Sequence, residues 1–242
     1  MRIAPHTVVL AALLALGACA PSADSPTPNI ADISTADASS ENARLDAWFE
    51  DRFLESVRAY PQQLTSLGMD ERQDEWNNPR RSYALEQLDK SRENLAAMRE
   101  LFDIEKLDDI HKLSYRLFEK NVEDNIARRK YWDHRYTYTQ MRGAHSSLPT
   151  FLMNNHKIKD LEDAENYLAR LETIDQPLDE YTRQAKAKFE KGIAPPKFVY
   201  GYVIESAQNI IAGSPNDPDS EKLNLLLVDF RKKVEKLDLD DE

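Results

Sequence analysis

The sequence predicts an all-α fold, an irregular array of several helices, and two observations carry that prediction. Apolar side chains recur every three or four residues through most of residues 41–242, which is the spacing of an amphipathic helix. The chain has only 6 glycines, and the Asn-Gly, Asp-Gly and Gly-Gly pairs that mark tight β-hairpins are absent from it. Hydrophobic residues make up 41% and charged residues 31% of the chain, a balance typical of a protein that folds around a core.

Residues 1–18 are predicted to be a lipoprotein signal peptide. Arg2 supplies a positive charge ahead of an apolar run at residues 7–16, and this run is shorter than the roughly 20 residues that a membrane-spanning helix needs. The run ends in Leu16-Gly17-Ala18-Cys19, which resembles the lipoprotein box of bacterial signal sequences. That resemblance implies that Cys19 becomes the lipidated first residue of the mature protein. The alternative is an ordinary signal peptide and a chance or buried cysteine.

The predicted location is the cell envelope, with the protein anchored to the membrane through lipid on Cys19. The residue after the cysteine is Ala20 rather than aspartate, which by the same resemblance favours the outer membrane, facing the periplasm. Residues 19–40 are rich in Pro, Ser, Thr, Asp and Ala. Such a stretch cannot bury enough apolar surface to offset the entropy of ordering it. It is therefore predicted to be a flexible spacer between the lipid and the folded part.

Charge and cysteine content exclude several classes of function. The chain carries 43 acidic against 32 basic side chains, a formal net charge of −11. Nucleic acid is excluded as a partner because binding a polyanion requires a basic surface. A single cysteine excludes a disulfide framework and a cysteine-rich zinc site.

Residues 41–242 are predicted to be helical, with boundaries given by local signals. A first helix is expected from a Ser40 N-cap to Pro61, followed by a loop that contains Leu67-Gly68, and a second helix opens at Asn77-Asn78-Pro79. A third helix begins at Asp108 or Asp109. Its expected inward stripe is Ile110, Leu113, Leu117, Phe118, Val122 and Ile126.

A long connection at residues 135–158 breaks the helical pattern. It is expected to hold one short helix, and Gly143 and Pro149 are expected to interrupt any continuous helix from His134 to His156. Long connections in compact domains often carry function. Helices then follow from Asp160, which with Asp163 resembles a capping box, to Gly192, with a break near Pro177. Two more are expected at residues 197–212 and 219–237. The inward stripe expected after Asp160 is Leu161, Ala164, Leu168, Leu171 and Ile174.

Four residues are candidates for the wall of a cleft. His145, Asn155 and His156 lie in the irregular connection, and no histidine has the spacing of a metal ligand. Glu205 lies three residues after Tyr202 and seven after Phe198, on a partly apolar helix face where burial would make it a possible acid or base. The alternative is an ordinary carboxylate that pairs with a basic neighbour or with Asn209. No catalytic residue and no metal ligand is assigned in the chain.

Several stretches resemble the bacterial domain-of-unknown-function 885 family. The most specific stretch is Gln140-Met141-Arg142-Gly143-Ala144-His145-Ser146-Ser147-Leu148-Pro149-Thr150-Phe151-Leu152. Shorter ones are Leu45–Phe49, Pro61–Gly68, Leu113–Phe118, Asn155-His156, Asp163–Leu168, Pro195–Val199 and Asn224–Phe230. The resemblance covers nearly all of residues 45–242.

This resemblance implies a mostly helical envelope lipoprotein similar to zinc metallopeptidases. Members of the family are more than twice this length and carry a His-Glu-x-x-Pro-Gly-His-His motif in their C-terminal half, which is absent from residues 1–242. The resemblance therefore implies zinc only for that half. It implies no cofactor for this chain. The expectation is that residues 41–242 form the N-terminal portion of a larger domain, without catalysis of their own, and that the chain stops inside that domain.

Two other functions are open. The first is a self-standing helical envelope lipoprotein that binds a peptide or a protein partner. The second is an independent hydrolase that uses His145 or Glu205. In the expected function the partners are a peptide substrate or the C-terminal half of the family domain, in addition to the membrane.

Overall fold

The computed structural model describes residues 40–237. The predicted signal peptide, Cys19, the spacer up to residue 39 and the last five residues lie outside the described part. The α-helices are α1 (Glu41–Arg58), α2 (Pro61–Leu67), α3 (Arg81–Leu101), α4 (Asp109–Arg128), α5 (Ala144–Asn154), α6 (Leu161–Glu172), α7 (Asp175–Glu190), α8 (Lys197–Ile211) and α9 (Leu225–Val234). Short 3-10 helices occupy Ile104–Lys106 and Arg129–His134.

The all-α prediction is confirmed. No β-strand occurs between residues 40 and 237, and one isolated bridge joins Ser214 to Leu223. The N-caps predicted from short polar side chains are also present: Ser40 accepts from the Ala43 amide at 3.2 Å, Asp108 from the His111 amide at 2.9 Å and Asp160 from the Asp163 amide at 2.9 Å. These bonds satisfy amides that a helix leaves unpaired at its start.

Three expectations about the helices are wrong. Residues 61–67, expected as a loop, form α2, because proline fits the first turn of a helix and Gly68 ends it with φ 74°. Pro149 lies inside α5 instead of interrupting it. The last helix begins at Leu225 rather than near Asp219, since Asn224 caps it by accepting from the Leu226 amide at 3.0 Å.

The first core lies between α1, α3 and α4. Its buried residues are Leu45, Leu95, Met98, Phe102, Leu107, Tyr115 and Val122. Trp48 packs edge-on against Phe118, with ring centroids 5.3 Å apart. Burial of these side chains removes apolar surface from water and holds the three helices together.

The apolar stripe expected on α4 is only partly buried. Val122 is buried as expected, and so is Tyr115, which lies outside that stripe. Ile110, Leu113 and Leu117 are exposed, at 74%, 58% and 53%. The helix therefore carries apolar residues on two faces, and only one of them packs on the core of the described chain.

The second half of the described chain is arranged around α5. This helix contacts α7, α8 and α9, and five of its residues are buried: Ala144, Leu148, Pro149, Phe151 and Leu152. The stretch with the most specific family resemblance thus becomes the central helix of this half. No helix within residues 40–237 has the length and apolar character required to span a membrane.

Candidate functional site

The N-terminus of α5 is positioned by a close approach between three residues. Gly143 precedes the helix, and a Cβ atom there would lie 2.5 Å from His145 Nδ1 and 2.8 Å from Tyr138 Cδ1. Such distances are far below van der Waals contact, so only glycine allows this arrangement. The rings of Tyr138 and His145 meet edge-to-face, with centroids 5.6 Å apart. The glycine therefore leaves the space that the imidazole of His145 occupies beside Tyr138.

An apolar cavity of about 730 Å³ lies between α5 and the four helices that follow it. Most of its lining is aliphatic or aromatic, and the polar lining residues are Tyr138, His145, Thr182, Asn216 and Asn224. The main apolar lining residues are Pro149, Leu168, Leu171, Ile174, Leu178, Val203, Ala207, Ile210, Ile211, Leu226, Leu227 and Phe230. Its size and its few polar groups are those of a small-ligand or peptide pocket.

His145 is the sequence-predicted cleft residue that lines this cavity. Its Nδ1 atom is buried and has no hydrogen-bond partner among residues 40–237. Burial lowers the pKa of His145 below its ordinary value, because the charged imidazolium is poorly solvated there. A neutral imidazole has one N–H donor and one acceptor nitrogen. It can therefore form a hydrogen bond with a ligand in the cavity.

The other three candidates do not line the apolar cavity. Asn155 is exposed, and its side chain donates to Ser66 Oγ at 3.3 Å. Glu205 is exposed on α8, because the face that it shares with Phe198 and Tyr202 is itself exposed, at 62% and 57% for the two aromatic residues. The burial that would make Glu205 an acid or base is thus not observed.

His156 belongs to a buried polar network around Arg170. Arg170 Nη1 lies 3.0 Å from His156 Nδ1, and His156 Nε2 lies 3.1 Å from the Asp163 carbonyl oxygen. A guanidinium can only donate, so Nδ1 accepts and Nε2 carries the proton that is donated to Asp163. Burial, and then the charge of Arg170, lower the pKa of His156 to about 4. The neutral tautomer fits a structural role.

Arg170 is the central residue of this network, and it was not among the residues predicted for the site. It is fully buried and also donates to Thr65 Oγ1 at 2.8 Å and to the backbone oxygens of Glu75 and Arg72 at 3.0 and 3.3 Å. It ties α2, the loop after it and the end of α5 to α6. The signal that could have found it is the spacing of Asp163, Tyr167 and Arg170, which share one face of α6.

The apolar stripe expected on α6 is only partly buried, and Ala164 is its fully buried member. Asp163, Ala164, Tyr167 and Arg170 are buried, whereas Leu161 is 58% exposed. Leu168 is also partly exposed, and it lines the apolar cavity.

A second, polar cavity of about 740 Å³ adjoins the start of α5. Its lining comes from residues 132–150 and from α7, and it includes Arg135, Arg142 and Lys188 but no aspartate or glutamate. Lys188 Nζ donates to the Arg135 carbonyl at 2.9 Å and to Thr137 Oγ1 at 3.3 Å. Burial lowers the pKa of Lys188, and the nearby Asp133 opposes that shift.

The residues that the structure describes do not fit a zinc site. Between residues 40 and 237, no three His, Cys, Asp or Glu side chains lie close enough together to hold a metal ion, whereas zinc in proteins needs three or four such ligands. No chemical step is therefore assigned to a metal held by these residues.

Comparison with known proteins gives the family but no activity. No curated protein and no solved structure matches the chain. The sequence model of a family described as "Bacterial protein of unknown function (DUF885)" matches residues 61–242, about three quarters of the chain. This range includes α5, both cavities and the Arg170 network. The chain therefore belongs to the DUF885 family of bacterial proteins.

Proposed function

We propose that the chain is an envelope lipoprotein whose helical part supplies a peptide-binding wall to a metallopeptidase-like protein. The observation that carries the proposal is the apolar cavity of about 730 Å³ against α5, the helix formed by the most specific family stretch. The size of the cavity exceeds that of one side chain and suits a short apolar segment of peptide. His145 offers a hydrogen bond to such a ligand.

Zinc chemistry in this proposal belongs to the family motif that residues 1–242 do not contain. Hydrolysis by a zinc peptidase uses a metal-bound water and a general base. In the part of the chain that the structure describes, no cluster fits a metal. The helices described here hold the peptide, and catalysis by this chain alone is not proposed.

Exposed apolar faces support the proposal that further protein packs on these helices. The outer face of α8 carries Phe198 and Tyr202, both more than half exposed, and the second face of α4 carries Leu113 and Leu117. Apolar side chains that stay exposed on one helix face often mark interaction sites. In our proposal the C-terminal half of the family domain covers it. The second candidate function, a self-standing lipoprotein that binds a protein partner, rests on the same α8 face.

Peptide binding is tested by filling the apolar cavity of the full chain. A peptide with alternating Leu and Phe is expected to bind, and Ala207→Trp should weaken its binding about tenfold or more, because the indole occupies ligand space. Gln208→Trp, an exposed neighbour on the same helix, is the matched control and should change affinity less than about twofold. Titration calorimetry provides the affinities. Equal binding by a serine-substituted peptide, or no effect of Ala207→Trp, would refute the proposed site.

The lipid anchor is tested by Cys19→Ser in cells. The unchanged protein is expected in the outer-membrane fraction, and the variant should move to the soluble fraction because the folded part has no anchor of its own in this proposal. Ser25→Ala, in the predicted spacer, is the control and should stay with the membrane. Retention of Cys19→Ser in the membrane fraction would contradict lipidation at this residue.

A further inference from the structure

The polar cavity at the start of α5 is a basic site on an acidic protein. Half of its lining residues lie between Met141 and Thr150, in the stretch of strongest family resemblance. The chain as a whole has a formal charge of −11, yet three cationic side chains and no carboxylate line this cavity. Such a local reversal of charge favours an anionic ligand over a cation.

Two acidic residues close to the lining residues form ion pairs with cations outside the cavity. Asp133 binds both Arg81 and Lys191, and Glu180 on α7 binds Arg183 at 2.6 Å. Neither Arg135 nor Arg142 forms an ion pair within residues 40–237. Asp133 partly offsets the charge of Lys188, whereas the charges of Arg135 and Arg142 have no ion-pair partner in the described chain.

Neutral donors in the cavity suit the same ligand. The hydroxyl of Tyr181 makes no hydrogen bond with a residue in the range 40–237, and Tyr181 lines the cavity together with Ser147 and Thr150. The α5 N-terminus has no side-chain cap, and helix amides add partial positive charge there. Arginine forks and hydroxyls are the groups that bind carboxylates in proteins.

From these observations we infer that the polar cavity binds the free C-terminal carboxylate of a peptide ligand. The inference rests on the proposed function and deepens it, because it specifies which end of the peptide is recognised. Gly143 and Ala144 line the polar cavity, whereas His145, the next residue, lines the apolar one. The same short segment thus presents the carboxylate site on one side and the apolar site on the other.

The test compares one peptide in two forms on the full chain. The Leu/Phe peptide with a free C-terminal carboxylate is expected to bind about tenfold more tightly than its C-terminal amide, and raised salt should shrink that ratio. The double variant Arg135→Gln/Arg142→Gln should bind the acid and amide forms with nearly equal affinity. The charge-matched control Arg116→Gln/Arg231→Gln changes two exposed arginines that line neither cavity, and it should preserve the ratio.

The outcomes separate this inference from the proposed function. Equal binding of acid and amide forms would overturn the carboxylate site while leaving peptide binding intact, whereas failure of both forms to bind would overturn peptide binding itself. Inorganic phosphate is expected to bind at least about tenfold more weakly than the acid peptide, since it cannot use the apolar cavity. Phosphate binding as tight as the peptide would overturn the assignment to a peptide terminus.

Discussion

Arg170→Ala is expected to lower the free energy of unfolding by about 4 kcal/mol. The substitution removes the donors of four hydrogen bonds and leaves Thr65, His156 and two backbone carbonyls without them. It also removes the guanidinium from the rings of Phe151 and Trp76, whose centroids lie 5.1 and 5.8 Å from it. Urea denaturation followed by circular dichroism measures the loss.

Two further variants make this measurement specific. Arg183→Ala removes an exposed arginine from α7 together with its ion pair to Glu180, and it should cost less than about 1 kcal/mol. Arg170→Lys keeps the charge but not the planar fork of donors, so we expect a loss between those of the two alanine variants. If Arg170→Ala costs no more than Arg183→Ala, the buried network does not stabilise the fold.

The stability contributed by His156 is expected to fall by about 2 kcal/mol between about pH 7 and about pH 5. Its pKa is about 4 in the folded protein, below the ordinary value of 6.5. Between these two values the unfolded chain binds the proton and the folded chain does not, so acid favours unfolding. This contribution is complete above about pH 6.5 and is lost as the pH falls toward 4.

The measurement is the difference in unfolding free energy between the unchanged protein and His156→Gln at several pH values. His111 contributes with the opposite sign and at higher pH, because its hydrogen bond to Asp108 raises its pKa. Its stabilisation is present below about pH 6.5 and is lost as the pH rises through the raised pKa. Both proteins retain His111, so its effect cancels in the difference. A difference that does not vary with pH would contradict a neutral, buried His156.

Local sequence signals predicted the helices well because their physical causes are local. A cap such as Asp160 satisfies amides within three residues of itself, and Gly192 ends α7 with φ 77°, a conformation that glycine adopts without a steric penalty. The starts of α2 and α9 were not predicted, because the residues that begin them also occur in turns. Proline and asparagine serve equally in turns and in the first turn of a helix, so the surrounding chain decides between the two.

The candidate site was only partly predictable. The irregular connection was correctly expected to hold a short helix, and His145 within it lines the apolar cavity. His156 is eleven residues further along, yet it faces Arg170 and not that cavity. The two histidines lie close together along the chain, and their positions in the sequence did not predict which of them lines the cavity. The residues that surround each one come from other helices.

By itself, the sequence determined the helical class, most helix ends and membership of the DUF885 family, because these depend on periodicity, capping and local motifs. The tertiary structure decided which apolar faces are covered. Helices α4 and α6 carry apolar residues on more than one side, and the neighbouring helices select which side is buried. The tertiary structure also decided that Arg170 is buried. Its guanidinium donates a hydrogen bond to Thr65, which lies 105 residues earlier in the chain. Contacts over such distances depend on how helices pack, and a periodic pattern along one helix does not contain that information.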